Sequence, residues 1–403
     1  MTWPEESNRR SNESGDVLPD IAHRSRPEPL SGPVAVLHDR ILLHTNARTA
    51  RRITPLPSGI GGLVLAGKTA ASGIKDLRSE HTDLLLLRDP EGYRRAAATE
   101  DEPFVLEDDE QQQHLFSLTL GEHLQAQRDC GADLALTPTG YLNAGDSDAL
   151  RAVVRAASEI TRDDVVVSLP LDIAWLKNDH IDHVIAVMDK LDRPKAVFLG
   201  GQFDPMERYK AAVRNLRRLV AEAGNVAVLR TDLTGFDVMS HGAYATSIGT
   251  GGSMRHMIPF GDRAFARQRD PSPSVLFAEL MSFQKGSTLA QRFADTLPPT
   301  CNLPCCEGLP LDRFLAREDT LDAHRHSMHT WESWARDLLE QPQLADRATW
   351  WKNRCAAAVA HTDTVNIRIN QPEAFQAPKT LQAWAELPPW WVDSETTRQA
   401  RTR

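Results

Sequence analysis

Short apolar runs recur along the chain, each followed by a turn and then a segment with helical spacing. They occupy residues 62–66, 83–87, 133–136, 165–169, 196–199, 226–229 and 245–248. An earlier run, 34–37 with 41–43, is a first strand or an N-terminal hairpin. Runs that are continuously apolar, not alternating, indicate strands buried on both faces, as in parallel sheets. Segments 148–160 and 207–223 have helical spacing between them. Nearly eight strand–helix units predict a (β/α)₈ TIM-like barrel. An open doubly wound sheet is the alternative, but no Gly-x-Gly-x-x-Gly follows the first strand. The organisation read from the pattern is a disordered tail (1–30), the barrel (31–296), a zinc-binding element (297–340) and a Trp-rich helical extension (341–403).

Composition changes this picture little. Of 403 residues, 41% are apolar and 25% charged, which is ordinary for a soluble globular chain. No apolar run approaches the roughly 18 residues of a membrane span, so no membrane partner is expected. Residues 1–29 are polar and lack the apolar core of a secretory signal, which predicts a cytoplasmic protein. The net charge of −9 disfavours non-specific nucleic-acid binding by the whole surface. Two basic segments stand out: residues 255–292, with six Lys or Arg against three acids, and Arg214 with Arg217 and Arg218. Solvated helix faces are their plainest explanation.

Chemistry in such a barrel sits where strands end. Asp89, Asp172 and Asp232 each stand just after a predicted strand, as do Thr137 and Thr139, and Gly200-Gly201-Gln202. Carboxylates converging on one rim can supply a nucleophile and a general acid or base. Each Asp is equally suited to cap the helix that follows. After the last strand, Gly251 and Gly252 permit close approach to a ligand. Ser253, Arg255 and His256 add donors for a phosphate or a base edge.

Three of the five cysteines, Cys301, Cys305 and Cys306, fall within six residues, and His324, His326 and His329 follow on one helical stretch. This is the ligand inventory of a closed, structural zinc site, taken here as Cys301, Cys305, Cys306 and His324. Cys130 and Cys355 read as core residues. Seven of the nine tryptophans lie in the C-terminal third, where packing against the barrel is the first expectation and base stacking the second.

A barrel closed by a three-cysteine, one-histidine element resembles the tRNA-guanine transglycosylase family. The likeness spans roughly residues 60–340 and is carried mostly by the cysteine knuckle and the helix beginning Ala323-His324. Phe198-Leu199-Gly200-Gly201-Gln202 is similar to the family's glycine pair that contacts the base. Leu86-Leu87-Arg88-Asp89 is similar to its aspartate-bearing strand end. The resemblance implies base exchange in nucleic acid through aspartate attack on a ribose, with a structural zinc and tRNA or DNA as partner. The chain departs from the pattern at three points. The cysteine spacing is Cys-x3-Cys-Cys, no acid follows residues 133–136, and Ser247 stands on the last strand where the family has its nucleophilic aspartate.

Three functions follow as expectations. The first is a pentosyltransferase-type enzyme acting at an N-glycosidic bond. In it Asp89 works with Asp232 or Asp172, Gly200, Gly201 and Gln202 hold the base, and Gly251, Gly252, Ser253, Arg255 and His256 hold a phosphate. The second is an inactive, zinc-stabilised nucleic-acid-binding subunit, as a homodimer or with a partner subunit. The third is a barrel enzyme for a phosphorylated small molecule.

Overall fold

The apolar runs form eight parallel strands: β1 (Arg40–Asn46), β2 (Leu63–Ala66), β3 (Leu86–Arg88), β4 (Ala135–Leu136), β5 (Val165–Asp172), β6 (Lys195–Gly200), β7 (Val226–Thr231) and β8 (Ala245–Gly249). This computed structural model describes residues 30–106, 118–201, 204–262 and 270–388. The expected disordered tail, 1–30, lies outside the described residues except for Leu30, which is buried. Strand order is β3-β2-β1-β8-β7-β6-β5-β4. A parallel bridge between Leu87 and Leu134, with Asp133 N–H donating to Leu86 O at 2.8 Å, joins the two end strands. The sheet is therefore a (β/α)₈ barrel.

Both strand faces are buried, which is why the runs are continuous. Leu42, Val64, Leu134, Val166, Ala196 and Ala227 fill the barrel interior. Their neighbours Ile41, Leu43, Leu63, Ala135, Val167 and Val197 face the helices. The run 34–37 is not a strand. Pro33 starts a 3₁₀ turn, Gly32–Leu37, whose Val34 and Leu37 pack on the inner core.

Helices α1 (Ala47–Ile53), α2 (Ala70–Glu80), α3 (Leu120–Asp129), α4 (Ser147–Ser158), α5 (Asn178–Met188), α6 (Ala212–Glu222) and α7 (Thr234–Met239) follow the first seven strands. After β8 the chain makes an antiparallel hairpin of β9 (Ser274–Phe277) and β10 (Ser282–Lys285), then α8 (Gly286–Arg292) and the cysteine turn. Next comes α9 (Thr320–Leu339), which packs against α1 and serves as the barrel's eighth helix. Helices α10 (Leu344–Arg368) and α11 (Lys379–Glu386) pack outside it.

Trp331, Trp334, Trp351 and Trp384 are buried in the core shared by barrel and extension. Trp351 stacks on Phe236 of α7 with centroids 5.2 Å apart. Trp390 and Trp391 lie outside the described residues. The basic cluster on α6 is not simply a solvated face. Arg217 is buried and forks onto Asp237 at 2.7–3.2 Å, and Arg218 pairs with Glu222 and Asp182. In the second basic segment, Arg263, Arg267 and Arg269 lie outside the described residues.

Candidate functional site

Inside the C-terminal half of the barrel the inward positions turn polar. His44 on β1 and Ser247 on β8 are fully buried, and His44 Nδ1 lies 3.1 Å from Ser247 Oγ. Ser247 Oγ also accepts the Arg230 backbone N–H at 2.8 Å, so its own hydrogen is available to His44 Nδ1. That tautomer puts the ring hydrogen on Nε2, which faces Asp89 Oδ2 at 3.3 Å. Asp89 Oδ2 accepts from Tyr93 Oη at 2.6 Å, and Asp89 Oδ1 accepts the Glu91 N–H at 2.9 Å. The Arg230 guanidinium completes the cluster. It donates to Glu91 at 2.7 Å and Tyr93 Oη at 2.6 Å, and lies 3.4 Å from Asp89. Glu91 and Arg230 both take left-handed backbone angles, with φ of 48° and 59°. The β7–β8 register shifts between Val228 and Thr231, and this irregularity turns Arg230 into the barrel.

Burial alone would raise the Asp89 pKa, but contacts with His44, Arg230 and Tyr93 hold it below the usual carboxylate range. Burial lowers the His44 pKa and keeps the ring neutral. The Ser247–His44–Asp89 order resembles a nucleophile relay, yet Ser247 is sealed from solvent. The segment after β8 supplies the cover. Met257 pairs with Gly200, its N–H donating to Leu199 O at 3.1 Å and its carbonyl accepting from Gly201 at 2.9 Å. Ser253 O and His256 O accept from Arg230 at 2.9 and 3.2 Å. A side chain at Gly249 would put its Cβ 2.1 Å from Met254 O, so glycine there lets the segment fold back over the mouth.

This cover displaces the predicted base site. A Cβ at Gly200 would meet the Tyr141 ring at 2.7 Å, and the chain's own Met257 occupies the edge of β6. Gly200 and Gly201 thus serve packing, and Gln202 lies outside the described residues. Asp172 is also committed. Its Oδ1 caps the Ala174 N–H at 2.8 Å, and its Oδ2 accepts from Tyr141 Oη at 2.6 Å. Of the three predicted carboxylates, Asp89 is locked by a cation and Asp172 is a cap.

Asp232 differs. Its Oδ1 accepts Thr234 N–H at 2.8 Å and Thr234 Oγ1 at 2.7 Å, and among the described residues its Oδ2 has no hydrogen-bond partner. It lines a pocket of about 320 Å³ on the outer rim, together with Asp204, Glu207, Arg255, His256 and Trp384. Gly252 lies on the same wall, so part of the predicted glycine loop does border a cavity. Gly251 faces His324 instead, and the Ser253 carbonyl is used by Arg230.

Asp204 follows β6 and was not predicted from the sequence. Its Oδ1 accepts Met206 N–H at 2.9 Å, and Thr380 Oγ1 of α11 donates to its Oδ2 at 2.9 Å. Burial and the Asp232 charge push its pKa up to about 7. The pocket thus joins a carboxyl that holds its proton near neutrality to a second carboxyl with a free oxygen. Arg255 lies 3.2 Å above the Phe283 ring and donates to Gly249 O and Thr250 O, both at 3.3 Å. Burial lowers the His256 pKa, so this ring is neutral at physiological pH.

The cysteine knuckle forms a second centre. Sγ of Cys301, Cys305 and Cys306 and a nitrogen of His326 all lie within 4.8 Å of one another. The structure corrects the expected fourth ligand from His324 to His326. At 3.6 residues per turn, α9 shows the cysteines the face of Ala323, His326, Ser327 and Thr330. His324 points elsewhere, its Nε2 3.4 Å from a Cβ placed on Gly251. His326 Nε2 lies 2.9 Å from Leu276 O, which fixes the hydrogen there and leaves Nδ1 toward Cys306 Sγ at 3.4 Å. The Cys305 and Cys306 sulfurs are 3.6 Å apart. Metal–sulfur bonds of about 2.3 Å in a tetrahedron require sulfurs about 3.8 Å apart, so the donor set fits a metal ion.

No protein-family model matches this chain, and no curated protein sequence is significantly similar to it.

Proposed function

We propose that the chain is a transglycosylase-like barrel enzyme that cleaves or exchanges an N-glycosidic bond at a base, using the Asp204–Asp232 pair. The observation that carries this reading is two carboxyls on one pocket, of which Asp204 has its pKa pushed up to about 7 by burial and the Asp232 charge. Such a pair supplies an acid and a nucleophile in glycosidic chemistry. Protonated Asp204 gives its proton to the departing base nitrogen as the C–N bond breaks. Asp232, with Oδ2 free, forms the bond to the anomeric carbon. Water or an incoming base then takes the sugar, releasing the Asp232 ester and returning a proton to Asp204. Base release from nucleosides and from RNA or DNA, measured for the wild type and for Asp204→Asn and Asp232→Asn, tests the assignment. Release that persists in both variants, or is undetectable with every substrate, overturns it.

We propose zinc for the metal centre, since three thiolates and one imidazole in a tetrahedron suit that ion and leave no position open for catalysis. Elemental analysis of reduced protein should give about one zinc per chain, and chelation should lower the melting temperature. Thiolate ligands also suit a reducing compartment such as the cytoplasm.

The barrel axis favours a second reading, that of a zinc-stabilised nucleic-acid-binding subunit without catalysis. Arg230 fills the space beside Asp89, and Ser247 stands where the resembled family has its nucleophile. Salt-sensitive binding of RNA or DNA without base release would select this reading over the first.

A further inference from the structure

We infer that the rim pocket binds a small zwitterion of the amino-acid class, its ammonium at Asp232 and its carboxylate at Arg255. The inference shares the pocket of the cleavage reading and needs none of its chemistry. Asp232 and Arg255 line the same cavity, yet among the described residues no ion pair joins them or takes either charge elsewhere. Each is tied in place by neutral groups. The Thr234 N–H and hydroxyl hold Asp232 Oδ1 and leave Oδ2 free. The carbonyls of Gly249 and Thr250 hold Arg255 Nε and Nη2 above the Phe283 ring, so among the described residues Nη1 has no hydrogen-bond partner. Burial lowers the Arg255 pKa to about 9, so the side chain is charged at neutral pH although water solvates it poorly.

Two opposite charges are thus anchored apart in one cavity. A partly dried charge without a counter-ion is costly, and a ligand that brings the counter-ion relieves it. A ligand with one charge serves only one side. A lone phosphate or carboxylate would satisfy Arg255 but meet Asp232, with Asp204 and Glu207 bordering the same cavity. A lone amine would satisfy Asp232 and leave Arg255 without an anion. An α-amino acid carries both charges on one carbon and pairs both sides. A second observation, independent of these charges, points to a bound acceptor. Trp384 lines the pocket, is 3% exposed, and its indole N–H has no hydrogen-bond partner. A buried donor left unpaired is costly, and a ligand carboxylate oxygen can satisfy it. The volume of about 320 Å³ is at the small end of ligand pockets and holds an amino acid with its side chain. Leu233, Met281 and Leu381 give that side chain an apolar wall.

Isothermal titration calorimetry on the full chain tests this with the twenty L-amino acids, their carboxamides, which lack the carboxylate, and their N-acetyl forms, which lack the ammonium. At least one amino acid should bind, with its carboxamide and its N-acetyl form each at least tenfold weaker. Each charge is then matched to its residue. Asp232→Asn, which keeps an oxygen for the Thr234 cap, should bind the amino acid at least tenfold more weakly and no longer prefer it over the N-acetyl form. Arg255→Gln should lose the preference over the carboxamide and keep the preference over the N-acetyl form. A variant that merely folds badly would weaken all three ligands together, and the wild-type comparison stands without either variant. No amino-acid binding, equal binding of a singly charged form by the wild type, or preferences unchanged in both folded variants overturns the inference. Amino-acid binding without base release overturns the cleavage reading alone. Base release without amino-acid binding overturns this inference alone.

Discussion

The barrel axis and the outer rim each hold carboxylates at the ends of β-strands, and they behave in opposite ways. On the axis, Asp89 and Glu91 share the Arg230 guanidinium, Asp89 also accepts from the Tyr93 hydroxyl and the Glu91 N–H, and Asp89 is buried. On the rim, Asp204 and Asp232 line one cavity, and among the described residues neither is in a salt bridge. The same residue type at the same kind of position is therefore locked beside a cation in one place and borders a cavity in the other. What separates them is the neighbouring charge, the Arg230 guanidinium beside Asp89 and a second carboxyl beside Asp204. A buried carboxyl beside a cation stays low in pKa, whereas one buried beside another carboxyl keeps a proton near neutrality.

The comparison is broken most forcefully by removing the axial cation. Arg230→Ala leaves Asp89 buried without its guanidinium partner, while Glu91 keeps Arg94 at 3.0 Å. It should cost about 3–5 kcal/mol, the range for stripping one member from a buried ionic cluster. Denaturant unfolding measures this, and a loss near zero would mean the cluster is not what holds the mouth closed. Next comes Asp232→Asn, which should reduce base release by at least about a hundredfold, the scale of a removed catalytic group, while leaving the melting temperature within a few degrees. Equal losses of stability and activity would place Asp232 with the structural caps.

A smaller effect sharpens the rim side. The Thr380 hydroxyl favours the ionised form of Asp204. Thr380→Val should therefore move the Asp204 titration upward in pH, and Thr380→Ser should restore it. Carbon-13 NMR of labelled aspartate reads the shift directly, and an unchanged titration would remove α11 from the site.

A further contrast concerns the pH dependence of stability. A carboxyl whose pKa rises on folding, here from 3.8 to about 7, contributes stability that is complete below about pH 4 and lost as pH rises through 7. Asp204→Asn removes the ionised form, so it should raise the melting temperature above pH 7 and lower or leave it unchanged below pH 4. Asp89 has the opposite sign. Its lowered pKa contributes stability at neutral pH that acidification removes. Melting curves of Asp204→Asn at pH 4 and pH 8 that run parallel to wild type would show that the two regions do not differ in this respect.

The residues differ in how openly they declare their roles. Strand runs such as 165–169 and 226–229 announce burial on both faces through their composition alone. Residues 34–37 have the same apolar character but start at Pro33, and a 3₁₀ turn results. The cysteine knuckle is plain because its three ligands are neighbours in sequence. The histidine is not, because His324 and His326 differ only in the phase of one helix relative to a turn that arrives from elsewhere. His44 sits within an apolar strand run and shows no sign of Ser247, 203 residues away. Asp204 follows a strand just as Asp172 and Asp232 do, so the strand-end rule reached it in principle. Its distinction depends on Asp232 and on Thr380, 176 residues away.

Local sequence therefore determined the barrel and the cysteine knuckle, because both follow from periodicity and from donors a few residues apart. Only the tertiary structure decided which histidine completes the metal set, which aspartate is locked, and which keeps its proton. Hydropathy and turn propensity act between neighbours along the chain. A carboxyl's protonation is set by charges and hydrogen bonds within a few ångströms in space, and here those partners come from other strands and from the last described helix.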